Sequence, residues 1–128
     1  MKTKTIKEKT GTDRDVQFGQ GRSLRLILEK DNMGFSFHKT IIRPNEIGHW
    51  HYKSHLESCY CLAGKGILTN LTTGEKFDIV PETIYLLDDN DNHTFESLDE
   101  EVILLSVFNP PCKGDEVHKE DGSYESNI

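Results

Sequence analysis

The residues best suited to chemistry crowd into His49-Trp50-His51-Tyr52-Lys53-Ser54-His55-Leu56-Glu57, followed by Gly64. Three imidazoles and a carboxylate within nine residues are donors that suit zinc, iron, manganese or nickel. On an unbroken strand His49, His51, His55 and Glu57 would share one face, because side chains alternate with a period of two. The competing reading is a solvated polar edge whose histidines share no target. For one such histidine that reading is the better one; for four donors together a site is favoured. A second polar stretch, Tyr85 through His93, is placed to send one or two further donors to the same cavity.

Other chemistries find little support. The chain has no Gly-rich phosphate loop, no G-x-S-x-G elbow and no CxxC pair, so nucleotide binding, serine hydrolysis and a structural zinc knuckle drop out. Cys59, Cys61 and Cys112 are odd in number, and the first two sit on one face of an expected strand. They read as reduced core thiols, in keeping with a cytoplasmic address. Met1 to Thr10 is lysine-rich without an apolar stretch, unlike a secretory signal. No apolar run approaches the ~18 residues of a membrane helix. The net charge of -7 and pI near 5.3 argue against nucleic acid, whose phosphates require clustered Lys and Arg.

Those donors need a scaffold, and the scaffold reads as strands. A chain of 128 residues suits one domain, and neither repeat nor linker interrupts it. Ser23 to Glu29 alternates, with Leu24, Leu26 and Leu28 opposite Arg25 and Ile27. Phe35 to Ile41 sets Phe35, Phe37 and Ile41 against Ser36, His38 and Thr40. Further strands are expected over 57–62, 66–71, 77–80, 83–87 and 102–108. Thr72-Thr73-Gly74-Glu75 reads as a hairpin turn and Asp88 to Asn92 as a tight polar loop. Many short strands in about 100 residues predict an all-β, single-domain antiparallel sandwich or barrel. Residues 119–128 read as a flexible polar tail.

The stretch from His49 to Gly66 resembles the first cupin motif, although His51 lies one residue too far upstream of Glu57 for the common H-x-H-x(3,4)-E spacing. Blocks in order along the chain resemble ectoine synthases, a divergent cupin family. They are Gly11-Thr12-Asp13-Arg14-Asp15-Val16, Met33-Gly34-Phe35-Ser36, Tyr52-Lys53-Ser54-His55-Leu56-Glu57, Thr73-Gly74-Glu75-Lys76, Val107-Phe108-Asn109-Pro110-Pro111 and Glu116-Val117-His118. The resemblance implies a jelly-roll-like antiparallel β-barrel with ferrous iron on Glu57, Tyr85 and His93. It implies a substrate pocket of Ser23, Arg25, Thr40, Tyr52, His55, Phe108, Glu116 and His118, and a cytoplasmic homodimer. Three departures stand out: Gly21 replaces the family's tryptophan, Pro81-Glu82-Thr83 replaces Pro-Gly-Thr, and one residue is added between His93 and Val102.

Tyr52 and Glu57 are an odd number apart, so both can line one cavity only if the strand breaks between them, near Ser54; otherwise Tyr52 packs outward. The implied reaction cyclises an acetylated diamino acid, N-γ-acetyl-L-2,4-diaminobutyrate, with loss of water. Glu116 is the candidate base, and His118 or Tyr52 the candidate acid. Asn109 to His118, with two prolines and a glycine, is expected to fold back as a lid. Two alternatives remain: an oxygen-dependent iron cupin using His49, His51, Glu57 and His93, and a non-catalytic cupin that holds a small anion near Arg25 and Lys53.

Overall fold

The computed structural model describes residues 1–117 and 122–123. A one-turn helix, α1 (Ile6–Lys9), precedes ten strands: β1 (Asp15–Phe18), β2 (Gly21–Ile27), β3 (Ser36–Ile42), β4 (Ile47–Trp50), β5 (Leu56–Ala63), β6 (Gly66–Asn70), β7 (Lys76–Ile79), β8 (Ile84–Leu87), β9 (His93–Ser97) and β10 (Val102–Asn109). They form a six-stranded sheet in the order β1-β2-β3-β10-β5-β8 and a four-stranded sheet in the order β4-β9-β6-β7. Every pairing is antiparallel. Strands remote in sequence are neighbours, as in a jelly roll. The all-β expectation is met, and among the described residues no helix is long and apolar enough to cross a membrane.

Alternation explains how the two sheets close on each other. In β10, Val102, Leu104, Ser106 and Phe108 are buried while the residues between them are less so, as period two requires. Phe95 of β9 stacks on Tyr85 of β8 with ring centroids 6.3 Å apart, and Trp50 of β4 meets Phe18 of β1 edge-on at 6.0 Å. Rings from both sheets therefore share one core.

Two strands bury more than their apolar faces. The leucine face of β2 does not fill the interior by itself: Ser23, Leu24 and Arg25 are all buried. Helix α1 packs on this strand and Lys4 Nζ donates to the Leu26 carbonyl, so the outer side is covered too. A register shift between Arg25 and Ile27 then ends the regular alternation. In β3 the polar face, Ser36 and His38, is the buried one. Period two separates two faces without saying which of them water leaves.

The remaining departures are local. The Thr72–Glu75 hairpin joins β6 to β7, with Gly74 at φ +78. Asp88 to Asn92 instead carries the chain from one sheet to the other. Glu82 adopts φ +73, a left-handed conformation that favours the glycine found there in the family pattern. A Cβ at Gly21 would run into the Ile41 carbonyl, so β2 and β3 leave no room for a tryptophan with this backbone.

Candidate active site and metal ligands

The histidine-rich stretch is divided between the two sheets. β4 ends at Trp50, the chain bends at Lys53 and Ser54, and β5 starts at Leu56 in the other sheet. The break falls where the parity of Tyr52 and Glu57 requires it, and Tyr52, His55 and Glu57 are all buried. Asn90 fastens the crossover, its side-chain amide donating to the carbonyls of Tyr52 and His55 at 3.0 Å each. His49 lies outside the cavity, exposed and hydrogen-bonded to Asn92 Oδ1. His51 is half-buried, and its backbone N–H donates to Gly122 O at 2.8 Å. The four-donor face of a continuous strand is therefore not formed.

Glu57 and Tyr85 come from the paired strands β5 and β8, where Tyr85 lies opposite Cys59 and Glu57 opposite Leu87. His93 opens β9 in the other sheet, opposite Trp50, with its ring 6.0 Å from that of Tyr52. Its Nδ1–H donates to Asp91 O at 2.9 Å, which leaves Nε2 as the acceptor nitrogen. That atom is buried and has no hydrogen-bond partner among the described residues.

Burial pushes the Glu57 carboxyl up to about 8, with hydrogen bonds from Cys59 and Ser106 opposing the shift. Burial likewise raises the Tyr85 phenol, helped by Cys59 and Glu57, and lowers the His93 imidazole. All three groups disfavour their ionic forms because they are out of water. A carboxylate, a phenolate and an imidazole lone pair are a donor set of a kind that fits iron, and His93 Nε2 is a buried acceptor left without a partner among the described residues.

At the other end of the cavity β2, β3 and β10 supply polar groups. Thr40 Oγ1 and Ser106 Oγ lie 3.0 Å apart. Ser23 Oγ is 3.3 Å from His38 Nδ1 and accepts from Arg25 Nε at 3.4 Å. Ser23, His38, Thr40 and Ser106, together with Tyr52, Glu57 and Phe108, line a space of about 20 Å³, roughly the room of one water.

The segment after β10 folds back over this end. Pro110 O accepts from His55 Nδ1 at 2.7 Å, and the Cys112 N–H donates to Ser36 Oγ at 3.0 Å. Arg25 donates to the carbonyls of Gly114 at 2.8 Å and Glu116 at 2.6 Å. The Glu116 carboxylate accepts the Lys113 and Gly114 amides at 2.7 Å each and lies 3.6 Å from Arg25. Burial raises this carboxyl, but the Gly114 and Lys113 amides and the Arg25 charge together hold it below its usual value. His118 lies outside the described residues.

His55, Cys112 and Glu116 present ligand atoms within 4.8 Å of one another, a grouping that sequence spacing could not reveal because Cys112 and Glu116 arrive only with the returning chain. The Arg25 guanidinium beside Glu116 opposes a cation there, and burial, with the Glu116 charge, pushes the Cys112 thiol up to about 12. His38 was also missed; its one signal was sharing the polar face of β3 with Thr40.

Both the sequence and the fold have counterparts among known proteins. A family model described as ectoine synthase matches residues 1–128. An L-ectoine synthase of Mycobacterium sp. (strain KMS) is 42% identical over 128 residues, covering 100% of this chain and 98% of the relative. The crystal structure of ectoine synthase from P. lautus superposes with a TM-score of 0.84 at 34% identity, covering 89% of this chain and 81% of that one. A cupin domain from Schizosaccharomyces pombe shares the fold alone, with a TM-score of 0.62 at 16% identity over 74% of this chain and 64% of the other.

Proposed function

This chain belongs to the ectoine synthase family, and from that premise we propose how its residues carry out the family's reaction. The enzyme is a carbon–oxygen lyase: it closes N-γ-acetyl-L-2,4-diaminobutyrate onto itself, the α-amine attacking the acetyl carbonyl and water leaving to give ectoine. The barrier is that an amide carbonyl is a poor electrophile while its resonance persists.

Glu57, Tyr85 and His93 hold ferrous iron in this reading, and the observation that carries it is the buried, unpartnered Nε2 of His93. Bound there, the ion supplies Lewis-acid polarisation of the acetyl oxygen, worth several kcal/mol. Ser23, Arg25, Thr40, Tyr52, His55 and Phe108 form the pocket that folds the substrate so that its amine meets its own carbonyl. Orientation of this kind removes about 7–11 kcal/mol from such barriers. Glu116, kept ionised by the lid amides, accepts the amine's proton. Tyr52 protonates the departing hydroxyl, a role His118 would otherwise fill. The lid, residues 109–118, keeps bulk water from a dehydration. The protein works in the cytoplasm as a homodimer, with a second copy covering the exposed Tyr60, Leu62, Ile84 and Leu86 on the outer face of β5 and β8.

The test is product analysis. Iron-loaded protein given the acetylated diamino acid under argon is expected to yield ectoine without oxygen or nucleotide. Strict dependence on oxygen would restore the oxygen-using alternative, and tight binding without product the non-catalytic one.

A further inference from the structure

His38 is 1% exposed, yet its Nε2 has no hydrogen-bond partner among the described residues, and the ring lines the cavity. Leaving a buried polar atom unpaired costs about 1–3 kcal/mol, so such an atom beside an active site is evidence of an absent partner. Its neighbours fix its chemistry. Arg25 Nε can only donate, and it does so to Ser23 Oγ at 3.4 Å. Among the described residues the acceptor within reach of the Ser23 hydroxyl proton is then His38 Nδ1, 3.3 Å away. The relay runs from Arg25 through Ser23 to His38, and it places the ring's own proton on Nε2. His38 is thus a hydrogen-bond donor toward the cavity. Burial, then the charges of Arg25 and His55, hold its imidazole well below the usual value, so it stays uncharged.

Its position selects what it donates to. His38 pairs with Arg25 on one side and Ser106 on the other, and β10 separates it from Glu57 on β5. Two strand spacings and a two-residue offset along the strands put their Cα positions about 12 Å apart. The cavity therefore runs from Glu57 and Tyr85, two of the proposed metal ligands, to a donor end at His38 backed by the Arg25 charge. A substrate whose acetyl oxygen lies at the first end has one strong acceptor left, its carboxylate, which stays anionic throughout the reaction. We propose that His38 binds the substrate carboxylate through Nε2–H and so sets the enzyme's preference for an α-amino acid over the corresponding plain amine. The assignment rests on the family reaction above.

The experiment compares N-γ-acetyl-L-2,4-diaminobutyrate with N-acetyl-1,3-diaminopropane, the same molecule without its carboxylate. Wild type, His38→Leu and His38→Gln are assayed on both as iron-loaded enzymes. The ratio of kcat/KM for the acid to that for the amine is expected to fall about 10- to 100-fold in His38→Leu, mainly through KM. In His38→Gln, which keeps a donor near the Nε2 position, the ratio is expected to stay within about threefold. An unchanged ratio in His38→Leu, with ectoine still formed by the wild type, overturns the role of His38 alone. Absence of ectoine from the wild type overturns the family reaction and this assignment with it. Should His38→Leu fail to fold, the ¹⁵N spectrum of the wild type decides. An Nε2–H tautomer whose resonance moves on adding substrate supports the proposal, and an Nδ1–H tautomer or an unmoved resonance overturns it.

Discussion

The two walls of the barrel are built by the same alternation and do different work. The inner face of the six-stranded sheet carries Ser23, Arg25, His38, Ser106, Glu57 and Tyr85 among its buried residues. The inner face of the four-stranded sheet is chiefly Trp50, Leu68, Ile79 and Phe95, with His93 as its main contribution to the chemistry. Polar groups are expensive to bury singly, because each lost water must be replaced by a partner. Concentrating them on one wall lets them partner one another and the returning lid, while the other wall supplies apolar area and aromatic rings. The arrangement gathers the buried polar groups on one wall and leaves the other chiefly to packing.

The sharpest way to break this division is at the one residue that crosses it. Replacing Glu57, Tyr85 or His93 by Ala is expected to reduce turnover by more than about a hundredfold and to strip bound iron, as loss of a ligand should exceed loss of an outer-shell partner. His49→Ala, outside the cavity, should stay within about threefold. Iron content and kcat measured on the same preparations make the comparison. Retention of iron by His93→Ala, with its loss from His49→Ala, would return the site to the histidine pair.

On the apolar wall the effect should be smaller and of another kind. Ile79→Ala, in a buried position remote from the polar groups, is expected to cost about 2–5 kcal/mol of stability. Denaturant unfolding should show that loss with kcat/KM nearly unchanged below the melting range. A large fall in kcat/KM without loss of stability would mean that this wall shapes the reaction directly.

The smallest effect is expected outside both walls. Asp31 accepts from Arg14 at 2.8 Å and from the Leu28 amide at 2.9 Å, and pairs with Lys4 at 3.0 Å. The Arg14 hydrogen bond leads the Leu28 and Lys4 contacts in holding its carboxyl well below the usual range, against the upward pull of burial. A depressed acid contributes stability that is complete above its unfolded value near 4 and is lost as pH falls through the folded value. Asp31→Asn should therefore cost about 1 kcal/mol at pH 7, and the gap to wild type should narrow as unfolding is measured progressively below pH 4. A gap that is constant with pH would assign the loss to packing.

Strands with clean alternation were legible in the sequence, and β5, β6, β8 and β10 lie within a residue or two of expectation. β9 was not: in His93-Thr94-Phe95-Glu96-Ser97 the buried set is His, Phe and Ser, so hydropathy alone reads it as loop. β1 and β4, four residues each, are too short to show a period. In the candidate site, parity located the break between Tyr52 and Glu57, because that argument depends on counting and on nothing remote. His38 and Cys112 were illegible because their partners, Arg25 for the first and Ser36 and His55 for the second, are distant in sequence and meet them only through strand pairing and the returning chain. The resemblance to a family added Tyr85, which no spacing rule would have linked to Glu57.

The narrow cavity sets a timetable as well as a shape. The room left between its lining side chains, about 20 Å³, is close to that of one water and much less than the acetylated diamino acid fills. On the lid proposal above, substrate would enter only when Arg25 releases the carbonyls of Gly114 and Glu116. A guanidinium letting go of two backbone oxygens would then be the first event of each cycle.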